Sequence, residues 1–157
     1  FIVAGYTNSS NNGDVTDSNK GGNDIWILKL NNDGTKAWDK SYGGSGDDFA
    51  YSVQQTSDGG FIVAGYTNSS NNGDVTDSIK GAYDIWILKL NSDGTKAWDK
   101  SYGGSGDDYT LSIQQTSDGG FIIAGETSSM DGDITDGNNG LDDIWILKLN
   151  KDGYVSY

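Results

Sequence analysis

The hydrophobic positions of this chain fall into short runs, and the runs repeat. The strongest is Asp24-Ile25-Trp26-Ile27-Leu28-Lys29-Leu30, which returns unchanged at Asp84 to Leu90 and at Asp143 to Leu149. Ile and Trp suit a pleated, packed surface. Side chains alternate across a strand, so Ile25, Ile27 and Lys29 share one face and Trp26, Leu28 and Leu30 the other. Both faces are mostly apolar, which predicts a strand covered on both sides. Lys29 sits near its end, where the stem can lie on apolar surface and the amine reach water. A buried helix segment is the competing reading of a short apolar run. The brevity of this one, and the turn residues Asn31-Asn32-Asp33-Gly34 after it, favour the strand.

The weaker runs recur in register with it. Phe1-Ile2-Val3-Ala4-Gly5 returns at Phe61 and, with Ile123 for Val3, at Phe121, a period of 60 residues. Residues 1–60 and 61–120 are identical at 52 of 60 positions, and the third copy diverges further. Each repeat predicts four strands: Phe1 to Thr7, Ile25 to Leu30, Thr35 to Tyr42 and Phe49 to Thr56. The third of these mixes charge with Trp38 and Tyr42, as an outer, half-exposed strand should. The fourth places Tyr51 and Val53 on one face. Ser57-Asp58-Gly59-Gly60 and Asn31-Asn32-Asp33-Gly34 are short turns in which Gly and Asn or Asp supply positive φ. Ser41 to Asp48 reads as a looser link, and Asn8 to Asn23, sixteen residues, as a long connection.

Four strands per repeat, apolar on both faces with a polar outermost strand, describe a propeller blade. The expected fold is therefore all-β, a single domain over 1–157 with repeats 1–48, 49–108 and 109–157. With Phe49 to Thr56 as an innermost strand, the first blade lacks its own, leaving eleven strands. Three blades do not close a ring that usually holds about four to eight. The chain opens and stops in mid-repeat, so the expectation is an excerpt of a longer protein whose ring is closed by further blades or by further copies of the chain. A β-trefoil, also three units of four strands but closed as a monomer, is the alternative; a β-solenoid is another.

Composition narrows the function. There is no Cys, His, Pro or Arg, and all but one of the 23 acidic residues are Asp. A net charge of −13 with no basic stripe excludes nucleic-acid partners and disfavours anionic membranes. No apolar run reaches the roughly 20 residues of a spanning helix, so no membrane insertion is expected. Without His or Cys the commonest bases and nucleophiles are missing. A carboxylate pair for glycoside hydrolysis is the one catalytic arrangement Asp alone could supply, and the chain is read as a non-enzyme. Gly43-Gly44-Ser45-Gly46 is no phosphate loop, because no Lys-Ser/Thr follows it.

The segments Trp38-Asp39-Lys40-Ser41-Tyr42-Gly43-Gly44-Ser45-Gly46-Asp47-Asp48, Gln54-Gln55-Thr56-Ser57-Asp58-Gly59-Gly60-Phe61-Ile62-Val63-Ala64-Gly65, Gly73-Asp74-Val75-Thr76-Asp77 and Asp84 to Leu90 follow one another in the same order in each copy. This pattern resembles the tandem propeller-type repeats of large secreted or surface proteins of bacteria and archaea. The resemblance implies an extracellular or cell-surface module, and it brings no catalytic residues. A second, partial similarity is to the Asp-box of sialidase-type propellers: Asp33 precedes Trp38 by five positions, and Asp93 precedes Trp98 likewise. Gly34 falls one position early, and the third copy has Tyr157 at the Trp position. That motif is a hairpin lock, and a sialidase would need arginines that this chain lacks.

Two sets of residues could bind something. In a blade, the long loop and the Ser41 to Asp48 link emerge at the same end. That end carries Asp14, Asp17 and Asp24, then Asp74, Asp77 and Asp84, then Asp133, Asp136 and Asp143. Gly-Asp-x-Thr-Asp and the ten-residue step to the strand are kept even where the third loop is one residue shorter. Hard cations take several carboxylate and carbonyl oxygens, so one Ca²⁺ per loop is one reading; Asp capping of the loops' own amides is the other. Tyr6 and Tyr66 precede the long loop, with Glu126 in their place in the third copy. Such aromatics either stack on a sugar or partner protein, or simply pack. Asn8-Ser9-Ser10 and Asn68-Ser69-Ser70 also fit a glycosylation acceptor. The expected function is a binding or scaffold module, recognising a surface glycan or protein or serving adhesion. The alternatives are a purely structural, self-assembling repeat and a glycan-processing enzyme.

Overall fold

The computed structural model describes residues 1–156, and every regular element in it is a β-strand. Ten strands form: β1 (Ile2–Thr7), β2 (Asp24–Leu30), β3 (Lys36–Tyr42), β4 (Asp48–Gln55), β5 (Phe61–Thr67), β6 (Asp84–Leu90), β7 (Lys96–Tyr102), β8 (Asp108–Gln115), β9 (Phe121–Thr127) and β10 (Asp143–Leu149). They make three antiparallel sheets in chain order, β1-β2-β3, β4-β5-β6-β7 and β8-β9-β10. The eleventh expected strand is reduced to one bridge, Leu149 to Val155. Tyr157, at the Trp position of the Asp-box-like turn, lies outside the described residues.

The sheets stack face to face. β1 and β2 pack on β4, while β5 and β6 pack on β8. Strand alternation sends each face of the middle sheet to a different neighbour. Phe61, Val63, Trp86 and Leu88 join Ile25 and Ile27 of the first sheet. Ile62, Ala64, Ile85 and Ile87 join Phe121, Ile123 and Leu147 of the third. β6 is buried along its whole length, as its two apolar faces predict. The same heptapeptide in β2 and β10 is covered on one face only, because the first and third sheets each have one neighbour. Burial on both sides therefore holds for one copy of three.

Two further expectations change. In β4 the register shifts between Ala50 and Ser52, a bulge that takes Tyr51 out of the ladder. Tyr51 turns to solvent, 58% exposed, while Val53 packs into the core, so the two do not share a face. The Ser41 to Asp48 link is also not loose. From Gly43 to Asp47 each backbone N–H donates to a side chain: to Asp74 at 3.2 Å, Asp48 at 2.8 Å, Asn72 at 2.5 Å, Ser69 at 2.9 Å and Asn68 at 2.5 Å. Four of those acceptors belong to the next loop, so the link locks one sheet to the following one. The Tyr42 hydroxyl adds a buried bond to the Gly94 carbonyl across the same joint.

Candidate functional site

Two aspartates of the long loops, Asp74 and Asp133, serve this lock, and others brace their own loop or sheet. Asp74 accepts from the Gly43 amide at 3.2 Å and pairs with Lys20 at 3.1 Å; Asp133 accepts from Gly103 at 3.1 Å and pairs with Lys80 at 3.0 Å. Asp17 and Asp77 accept from the Ser41 and Ser101 amides at 3.1 and 3.0 Å. Asp24 and Asp84 are buried and accept from the Lys20 and Lys80 amides at 2.9 and 3.0 Å. Asp143 accepts from the Asn139 amide at 2.5 Å. Asp14 and Asp136 stand exposed. Among the described residues no three acidic side chains converge into a cluster able to hold a metal ion. The nine candidates are thus spread over three loops and the first residues of the strands that follow them, most of them engaged with backbone amides.

Burial raises the carboxyls of Asp24, Asp48 and Asp84 above their ordinary value. The donors around them work against burial: Lys20 at Asp24, Thr67, Gly44 and Ser69 at Asp48, Lys80 and Gly81 at Asp84. The charge of Asp48, beside Gly43, also raises Asp24. One oxygen of Asp24 is buried without a hydrogen-bond partner among the described residues.

The aromatic residues do converge. Tyr66, at the end of β5, is the hub of a cluster at the loop-bearing end of the sheets. It meets Tyr109 edge-on at 4.7 Å, Tyr83 edge-on at 5.5 Å, Phe49 tilted at 5.1 Å and Tyr51 stacked at 5.5 Å. Tyr6 extends the cluster by an edge contact to Phe49 at 4.7 Å. Burial, then the neighbouring phenols, push the Tyr66 hydroxyl up. Next to the hub lies a pocket lined by Tyr51, Tyr66, Tyr109, Thr110, Leu111 and Glu126. Tyr51 and Leu111 occupy the bulges of β4 and β8, and so face the pocket and solvent instead of a sheet partner. The Thr110 hydroxyl, buried in the wall, has no hydrogen-bond partner among the described residues. Glu126 brings the pocket's only carboxylate.

Sequence reasoning singled out Tyr6, Tyr66 and Glu126 but missed Tyr51, Tyr109, Thr110 and Leu111 as lining. A signal for them was present. The first two repeats differ at only eight positions, among them Asn23/Tyr83, Phe49/Tyr109, Ala50/Thr110 and Tyr51/Leu111. Half of the differences between two otherwise matching copies thus fall on this cluster and pocket. No protein-family model and no curated protein matches the chain, so its geometry carries the functional argument.

Proposed function

We propose that this chain is a non-enzymatic, extracellular module of β-propeller blades that scaffolds a glycan-recognition pocket. The blade reading is supported by the middle sheet, whose four strands run in sequence order with both faces covered and its long loop at one end. It is supported also by the unclosed outer sheets, since a trefoil would leave no apolar face open. The resemblance to secreted repeat proteins supports the location.

The observation that carries the binding reading is the pocket beside Tyr66. A phenol ring offers a flat apolar face to the C–H face of a sugar and a polar tip to its hydroxyls. The Glu126 carboxylate is the placed polar group that such a pocket needs for orientation. With Glu126 in the wall and −13 on the chain, acidic sugars are repelled. The ligand is therefore a neutral or amine-bearing glycan.

An array of neutral, amine-bearing and acidic oligosaccharides tests this. Binding should be confined to the first two classes and weaken at least about fivefold in Tyr51→Ala, the scale of a truncated contact residue. Because Tyr51 is exposed, its far-UV circular dichroism should match the parent's. An array with no bound sugar leaves a structural repeat as the reading.

A further inference from the structure

The two end sheets expose the two halves of a joint that the chain already makes twice. At the first joint, Phe61, Val63, Trp86 and Leu88 of the middle sheet meet Ile25 and Ile27 of the first. The residues equivalent to that middle-sheet surface in the first sheet are Phe1, Val3, Trp26 and Leu28, the same residue types in the same order. Among the described residues no sheet covers them: Val3 is 49% exposed and Trp26 and Leu28 are half-buried, whereas Val63, Trp86 and Leu88 are fully buried. At the second joint, Ile62, Ala64, Ile85 and Ile87 of the middle sheet meet Phe121, Ile123 and Leu147 of the third. Their equivalents in the third sheet are Ile122, Ala124, Ile144 and Ile146. Ile144 is 83% and Ile146 55% exposed, where Ile85 and Ile87 are buried.

We infer that the open face of the third sheet takes the open face of the first sheet of a second copy of this chain, head to tail. On β1–β2 and β9–β10 the two surfaces repeat, residue for residue in type, those of β5–β6 and β1–β2 at the first internal joint, while the first sheet has no counterpart of β4 or β8, through which the internal sheets also touch. The joint is heterologous: one end of the stack fits the opposite end, not itself. A heterologous joint builds a closed ring where its rotation closes and a filament where it does not. Here the count of copies rests on the propeller reading, while the joint does not. Rings hold about four to eight sheets, and six is the only multiple of three in that range. Two copies of these three sheets fall within that range. Each copy keeps its own pocket, since Tyr51, Tyr66 and Glu126 belong to strands within one chain.

Light scattering on the eluting protein reads the result directly. The parent should show twice the 16.7 kDa of one chain. Ile144→Asp places a charge on the open face of the third sheet, and Val3→Asp on that of the first. Both residues are exposed within one chain, so both variants should fold, keep the parent's circular dichroism and run at the mass of one chain. Mixing them at raised concentration should restore a species of two chains, because each variant retains the face the other has lost. A parent that stays at one chain overturns the inference; a concentration-dependent ladder of larger species that both variants abolish supports the joint and overturns the ring of two. A Val3→Asp variant that still pairs with itself overturns the inference as well, since its faces would then be meeting like to like. Glycan binding is read separately on the array, so either proposal can fail without the other.

Discussion

Asp39 and Asp99 show how one side chain ties three segments together. Asp99 accepts from the Thr76 amide and hydroxyl, both at 2.9 Å, from the Trp86 indole at 3.1 Å and from Lys96 at 2.8 Å. Asp39 repeats the set with Thr16, Trp26 and Lys36. A carboxylate on an outer strand thus anchors the long loop and fixes the indole of the strand beside it. Burial works against the charge on Asp39, but the bonds from Thr16, Lys36 and Trp26 outweigh it and bring the carboxyl from 3.8 down to about 2. The folded state then binds this proton less readily than the unfolded chain does. The stability it contributes is fully present above pH 3.8 and is lost as the pH falls towards about 2. Asp48, raised by burial, has the opposite sign: its contribution weakens as the pH rises above its ordinary value. Asp39→Asn removes only the first effect. Its urea midpoint should fall less steeply than the parent's between pH 3.8 and about 2, and parallel curves would mean that the carboxylate's charge plays no part.

Within the strands, the same residue matters in one copy and not in another. Gly65 on β5 lies against the Phe49 carbonyl of β4, so close that an added Cβ would overlap it. Gly5 stands at the equivalent place on β1, which pairs only with β2, and nothing lies within 4 Å of the position its Cβ would take. Gly65→Ala should therefore destabilise by about 1–3 kcal/mol, the scale of an overpacked site, while Gly5→Ala stays near zero. Denaturant midpoints of the two variants check it, and equal losses would refute the close approach as the cause. This contrast also marks where sequence stops informing. Short apolar or aromatic-bearing runs and the turn residues that bound them located all ten strands to within two residues, because those signals are local. Whether Trp26, Trp86 or Trp145 is covered depends on a neighbouring sheet, and three identical heptapeptides cannot differ in that respect. The bulge at Tyr51 was equally hidden, since an aromatic in an alternating run gives no sign of leaving the ladder. Val15 and Val75, buried inside the long loops beside the positive φ of Gly13 and Gly73, carry no periodic signal either. The pocket spans two repeats, so no single repeat contains its pattern.

At the scale of the whole molecule, charge and the apolar faces pull in opposite directions, and salt separates them. Each internal joint is crossed by an ion pair, Lys20 with Asp74 and Lys80 with Asp133. The third loop has Asn139 where the first two have Lys20 and Lys80. A joint between copies, laid out like the internal ones, would set Asn139 near Asp14 and carry no such pair. It would also bring together two chains of −13 each. Raising the ionic strength screens that repulsion over a Debye length that shrinks from about 30 Å at 0.01 M to about 8 Å at 0.15 M. Burial of Val3, Trp26, Ile144 and Ile146 is an apolar gain that salt does not screen. Association should therefore tighten as sodium chloride rises across this range, the reverse of an interface held by ion pairs. Sedimentation at fixed protein concentration reads the shift. Weaker association in salt would mean that charged contacts, and not the repeated apolar surfaces, hold the copies together.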